Sequence, residues 1–595
     1  MLNRIGDKMF GKIISIEDLY VTLENASHKL DVNYLNYHVV FPENNRSVVG
    51  EIVAMDERII KIFLVGEIKN NVFSSGVLRK PNFNSVPRLV YKSEVELLLG
   101  SQDIASKDNL YIGKSLNYEG FNISADINAF FANHFAILGN TGSGKSCGVA
   151  RLLQNIFFHN DDKLPVNAHI VLFDAYGEYN SALSNINSLP NMGYRYFTTS
   201  TENNDSNILN IPAYFLEADD LALLLNASSA SQLPILEKAL KLVYIFKGQT
   251  TAMANYKNDI IAESILELLS SGRSSTQIID QVTAILTRYN TRDINLQTPI
   301  VQPGYVRTIK QCLNIDNQGK MNAVAYLVDY LEKFQKLNLT TVDVDKSIIY
   351  SLDDLYYALD FALISEGTFK SEKIYDEYNQ LKIRLQQIIN SDNKVFFAPG
   401  DKRISKGEYI RRLFSSTKGK VQIINMNLNY IDDRFAKVLA KIYTKMFFDY
   451  ATDLKERGSF PIHIILEEAH RYVQNDNDVN ILGYNIFDRI TKEGRKYGVI
   501  LGLITQRPSE LSNTALSQCS NFIAFRMYHP NDLQIVSSIS SNVSMETIEK
   551  LKSLTSGTAM IFGVSFKLPL ITKFDLPNPM PQSTSLDVKK VWFSD

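Results

Sequence analysis

Eight residues constrain the fold of this chain more than any others. Gly139-Asn-Thr-Gly-Ser-Gly-Lys-Ser146 fits the pattern G-x-x-x-x-G-K-[ST] at every fixed position. The apolar run Asn133-His-Phe-Ala-Ile-Leu138 stops at its first glycine, and a helical period follows it, with Val149, Leu152, Leu153 and Ile156 on one face. In that order, strand, glycine-rich loop and helix let backbone N–H groups wrap a phosphate at the positive end of a helix dipole. A glycine-rich turn is the alternative for the eight residues alone, and it has no need of the flanking strand and helix.

The loop therefore predicts an ATP site lined by Gly139, Asn140, Thr141, Gly142, Ser143, Gly144, Lys145, Ser146 and Cys147. Lys145 is expected to reach the β- and γ-phosphates, and the Ser146 hydroxyl to ligate Mg2+. A Walker B strand should be apolar and end in acid, as Ile462-His-Ile-Ile-Leu466 before Glu467-Glu468 does. We assign Glu467 to the magnesium shell through a water and Glu468 to polarising the attacking water, against the alternative of a solvated loop.

Three further positions are read with alternatives open. Arg495, in Lys492-Glu-Gly-Arg-Lys-Tyr-Gly498, is a candidate arginine finger, and equally a basic residue meeting a helix dipole before a glycine cap. Gln506, in Thr505-Gln-Arg-Pro508, either senses the γ-phosphate or caps a loop. Asp174 and Glu178, in Phe173-Asp-Ala-Tyr-Gly-Glu-Tyr179, stand at the end of an apolar strand, where they help order metal or water or are solvated acids. The eight histidines fall in no metal-binding spacing.

At 595 residues the chain exceeds what one hydrophobic core supports, since single cores rarely grow past about 250–300 residues. Short β-branched runs between residues 8 and 70 predict a small β-barrel over 1–115, with a linker-like stretch from Asp103 to Asn117. A first part of a RecA-like core spans 116–214, and a helical insertion 215–400, where Ser351 and Asp354 suggest a helix cap. The core returns over 401–570, and 571–595 reads as an extended tail with Pro577, Pro579 and Pro581. The fold class is α/β: a RecA-like P-loop core with a mostly parallel sheet, an N-terminal small β-barrel and a helical insertion.

With 62 basic and 64 acidic side chains the net charge is -2, so any nucleic-acid contact has to be local and not a matter of bulk charge. Only three cysteines occur, Cys147, Cys312 and Cys519, far apart in sequence and without a CxxC or Cys/His cluster, which argues against a disulfide framework and a zinc site. The first residues carry no apolar leader, and no stretch approaches the roughly 18 apolar residues needed to cross a bilayer. A cytoplasmic protein without a membrane partner is expected.

Taken together, Asn133–Ser146, Phe173–Tyr179, Leu466-Glu-Glu-Ala-His-Arg471, Glu493–Gly498 and Thr505-Gln-Arg-Pro-Ser509 resemble the HerA family over nearly the whole chain. The resemblance implies an N-terminal β-barrel, a core of the HerA/FtsK type, a helical insertion and a C-terminal segment reaching a neighbouring subunit. It further implies a homohexamer with ATP at subunit interfaces, duplex DNA in a central pore, Arg495 acting in trans and Gln506 as sensor. Effectors of such relatives dock on the barrel: a nuclease, as NurA with HerA in DNA end resection, or a sirtuin-like enzyme in defence against phage. Glu467 departs from the Asp that many P-loop ATPases carry, a methylene that a bridging water can absorb.

The function expected is an ATP-driven DNA translocase or helicase working with such an effector. An ATP-responsive ring that gathers and activates an effector without moving DNA is the alternative. A small-molecule kinase would need only the Walker loop and leaves the size and the other motifs unexplained.

Overall fold

The computed structural model describes residues 10–26, 33–158, 164–202, 207–335, 348–366, 372–400, 402–417, 419–540 and 543–583, with residues 588 and 592. The first eight residues, read above for a leader, and most of the tail beyond residue 583 lie outside them. The chain forms two compact units, residues 1–200, 407–476 and 485–595 in one, and 201–406 with 477–484 in the other.

The first unit is built on an eleven-stranded sheet. Seven strands run parallel in the order Tyr194–Thr198, Ile423–Asn427, Ile170–Asp174, Ile462–Leu466, Val499–Thr505, Phe135–Leu138 and Asn521–Phe525. Their continuous apolar runs follow from burial on both faces, which leaves no alternation to read. Four strands then continue the sheet antiparallel: Thr558–Gly563, Leu570–Lys573, Asn109–Ser115 and Asn122–Asp126. Asn109–Ser115 lies within the stretch read as linker-like, and Leu570–Lys573 reaches into the stretch read as tail; Leu110, Tyr111 and Ile112 are buried in this sheet.

Leu138 pairs with Thr505 on one side and Ala524 on the other, so the glycine loop leaves the sheet between two strand ends. Helix Lys145–Phe158 follows directly and buries Val149, Leu152 and Leu153. The described tail lies on this helix. Asn578 N–H donates to Gln154 Oε1 at 2.9 Å, Gln154 Nε2 donates to the Pro579 carbonyl at 2.9 Å, and Gln582 N–H to the Glu178 carbonyl at 2.8 Å.

The N-terminal barrel region is an antiparallel sheet of seven strands between Phe10 and Leu89. Its period-two pattern is apolar on both faces. Val39, Phe41, Ile60, Ile62 and Leu64 enclose one core, while Val40, Phe63 and Val65 join the core that continues under the larger sheet.

The second unit is mainly helical. Leu352–Glu366 packs against Leu233–Lys247, burying Leu355, Ala358 and Leu359 beside Leu236 and Ala239. Ser351 caps the former: Asp354 N–H donates to Ser351 Oγ at 3.3 Å, and Ser351 N–H donates back to Asp354 Oδ2 at 2.8 Å. Among the described residues no helix is long and apolar enough to cross a membrane.

Candidate nucleotide site

The loop is held by backbone contacts that only glycine permits. Gly139 N–H donates to the Thr505 carbonyl at 3.2 Å and Asn140 N–H to the Arg526 carbonyl at 3.0 Å, tying it to both neighbouring strand ends. Gly144 has φ +91°, and a Cβ there would stand 2.5 Å from Gly557 N. Gly557 N–H in turn donates to the Ser143 carbonyl at 2.9 Å, so a second backbone segment supports the loop from below.

The loop's helix then places Lys145 inward, 5% exposed, with Nζ 3.2 Å from Glu468 Oε1. Burial pulls the ammonium below its usual range, and Glu468 and Glu467 offset part of that. The two adjacent acids face different partners because the chain turns sharply after Leu466. Glu468 adopts φ +48°, a left-handed conformation costing a non-glycine residue about 1–3 kcal/mol. Such strain persists where the surroundings over-determine it, and Glu468 is fixed by Lys145 and by the Gln506 side-chain amide. Gln506 Oε1 accepts from the Thr141 hydroxyl. Thr141, Gln506, Glu468 and Lys145 thus form one chain of polar contacts across three strand ends.

Glu467 points instead toward the Asp174 strand, where its Oε2 accepts from Ala175 N–H at 3.1 Å. Burial, and then the charges of Asp174 and Glu178, hold its carboxyl well above the ordinary range. Asp174 is fully buried and organises the loop after it, accepting from Gly177, Glu178 and Tyr179 N–H at 2.7, 3.0 and 3.0 Å. Asn425 Nδ2 donates to it at 3.1 Å. The turn holds Glu178 beside the Ser146 hydroxyl, a contact that lowers its carboxyl pKa against the larger upward push of burial.

The residues fit ATP with Mg2+. The loop presents backbone to an anion, Ser143 Oγ and Glu178 Oε2 are buried without hydrogen-bond partners, and two crowded carboxylates, Glu178 and Glu467, have their charge raised in energy. Among the described residues no three His, Cys, Asp or Glu side chains form a metal site by themselves. Mg2+ needs none, since phosphates and water supply most of its ligands.

Of the positions read from sequence, the structure brings together the loop with Lys145 and Ser146, Glu467, Glu468, Asp174, Glu178 and Gln506. Cys147 is half-buried in the same helix turn. Arg495 stands apart. It is exposed in the turn Gly494–Tyr497, ahead of strand Val499–Thr505, hence at the opposite edge of the parallel sheet from the loop. Its carbonyl also accepts from Gly498 N–H at 3.3 Å, with Gly498 at φ +78°. Sequence reasoning missed Arg526, whose guanidinium is 3.4 Å from the Gly142 carbonyl, and Gly557. A basic residue directly after the apolar run Asn521–Phe525 was the signal for the former; nothing local marks the latter.

The family description "Helicase HerA, central domain" matches residues 110–309. A DNA double-strand break repair helicase HerA of Pyrococcus furiosus is 24% identical over 583 residues, covering 96% of this chain and 86% of its own. A probable helicase of Methanocaldococcus jannaschii is 24% identical over 538 residues, covering 90% of this chain and 80% of its own. Among solved structures, VirB4 of Thermoanaerobacter pseudethanolicus aligns with a TM-score of 0.44 at 12% identity, covering 79% of this chain and 97% of its own. The phosphate loop thus lies within a stretch that matches the HerA central domain, in a P-loop ATPase similar over nearly its whole length to a HerA helicase.

Proposed function

We propose that the protein hydrolyses ATP to move duplex DNA through a homohexameric ring, in the cytoplasm, together with an effector enzyme seated on its N-terminal sheet. The observation that carries the hydrolytic half is the convergence of Lys145, Glu468, Gln506 and Thr141 from three distant stretches of sequence.

In this reading the backbone of residues 139–147 and the Lys145 ammonium hold the phosphates and spread the charge that builds on the γ-phosphoryl oxygens. Glu468 orients the attacking water and receives its proton. Gln506 links Thr141, at the loop's tip, to that carboxylate, so the contents of the loop are felt at the strand end that continues into residues 505–510. Mg2+ would be held by the Ser146 hydroxyl and, through water, by Glu467, with Glu178 and Asp174 shaping that side, and would neutralise phosphate charge. Arg495, exposed and remote from its own loop, would complete the site of the next subunit.

The DNA half is supported by the Pyrococcus furiosus relative, whose name describes a DNA double-strand break repair helicase. With a net charge of -2, contact with the phosphate backbone has to come from basic residues gathered on a pore. The effector half is supported by the loop before residue 92, where Leu78, Phe83 and Val86 are exposed beside Arg79 and Lys80. The effector proposed there is a nuclease in DNA end processing or a sirtuin-like enzyme in antiphage defence. The test is ATP turnover with and without linear duplex DNA, alongside Lys145→Ala and Glu468→Ala, with particle mass recorded. DNA-stimulated turnover by a hexamer is expected. Turnover indifferent to DNA and raised only by an effector would replace the motor by an ATP-responsive scaffold, and turnover surviving both substitutions would overturn the site.

A further inference from the structure

Glu468 has two carboxylate oxygens in different surroundings. Oε1 receives Lys145 Nζ and the Gln506 amide, while Oε2 is buried and makes no hydrogen bond. The second is the oxygen left to meet a water. His470 stands beside it, with Nδ1 at 3.3 Å. The left-handed turn at Glu468 brings His470, two residues on, back to the same side, in the short turn Ala469–Arg471.

The same Nδ1 is 3.0 Å from Thr505 Oγ1, at the end of the strand that carries Gln506. Thr505 is fully buried and its Oγ1 also accepts from Arg507 N–H at 3.0 Å. An unprotonated Nδ1 would set its lone pair against a carboxylate oxygen. With the proton on Nδ1, the N–H donates to Thr505 Oγ1 and its positive end attracts Glu468 Oε2 electrostatically, short of a hydrogen bond.

We propose that His470 is a positioning residue for hydrolysis: its Nδ1–H, anchored by the Thr505 hydroxyl, fixes the free oxygen of Glu468 where the attacking water is deprotonated. The proposal rests on Glu468 being the base. Without the ring, the carboxylate can rotate about its terminal bond and offer both oxygens to Lys145, which holds ATP as before but presents no base. The loss therefore falls on the chemical step and not on nucleotide binding.

The experiment is steady-state ATP hydrolysis by the full chain carrying His470→Ala, His470→Asn, Thr505→Val or Glu468→Gln, with affinity for a fluorescent ATP analogue measured in parallel. His470→Ala is expected to lower kcat by about tenfold or more while KM and analogue affinity change by less than about threefold. Asparagine carries an N–H donor at the δ position, so His470→Asn is expected to recover kcat to within about threefold of the parent. If His470→Ala does not fold, Thr505→Val, which keeps the side-chain shape, carries the same expectation of a kcat loss at unchanged KM. Full turnover in His470→Ala or in Thr505→Val, or an asparagine variant no better than alanine, overturns the proposal while Glu468→Gln stays inactive. Turnover surviving Glu468→Gln overturns the functional reading itself.

Discussion

Replacing Gly144 by alanine separates two demands that the phosphate loop makes on glycine. At φ +91° the backbone lies where an L side chain costs roughly 1–2 kcal/mol. The added Cβ would also stand 2.5 Å from Gly557 N and 2.8 Å from Gly557 Cα. Restoring a contact of 3.4 Å moves one backbone segment by about 1 Å, and relief of such overpacking costs about 1–3 kcal/mol. Gly142 is the control: its φ is +72°, and a Cβ there meets nothing within 4 Å, so Gly142→Ala carries only the backbone cost. Gly144→Ala is therefore expected to lose about 2–5 kcal/mol of stability, against roughly 1–2 for Gly142→Ala. Equilibrium urea unfolding of the two variants reads the difference. Binding of a fluorescent ATP analogue reads its consequence, expected as at least tenfold weaker for Gly144→Ala, equivalent to about 1.4 kcal/mol. Equal losses in the two variants would refute the reasoning, because the Gly557 contact would then not be what requires the glycine.

Gln506→Ala removes the link between Thr141 and Glu468 and is expected to lower kcat by about tenfold or more with nucleotide affinity nearly unchanged; an equal loss of affinity would show that Gln506 acts on binding. Arg495→Ala and Lys145→Ala, each inactive alone, are expected to regain about a quarter of parental turnover when mixed subunit by subunit, since a quarter of interfaces would pair an intact loop with an intact arginine. No recovery in assemblies shown to exchange subunits would remove Arg495 as a trans-acting group. His38 is buried, bonded through Nδ1 to Tyr118 Oη at 2.7 Å, and burial followed by the Lys550 charge lowers its pKa to about 4. Between pH 6.5 and 4 the unfolded chain binds this proton and the folded chain does not, so stability falls on acidification, by about 3 kcal/mol from this residue. His38→Gln should lose correspondingly less between pH 7 and 4.5 in urea unfolding, and an equal loss would show that His38 titrates normally.

Much of the chemistry was legible because it is written in short stretches. The strand, glycine loop and helix around residues 133–158 occupy one continuous segment, as do the acid pair after Ile462–Leu466 and the cap at Ser351 and Asp354. Each depends on periodicity and turn chemistry acting over a few residues. That same locality limits the reading. The sequence assigns Glu467 and Glu468 separate roles but not their contacts, and the left-handed turn at Glu468 decides which of them meets Lys145. Asp174 reads as a solvent-facing or metal-binding acid, yet the structure occupies its oxygens with three backbone N–H groups and Asn425, 251 positions away. Gln506 reaches Thr141 over 365 positions and Glu468 over 38, and Gly557 touches Gly144 with no local signal at either residue. These meetings depend on which parallel strands lie side by side. That order is set by the summed burial of apolar faces and by the crossovers between strands, and no window of neighbouring residues contains either quantity.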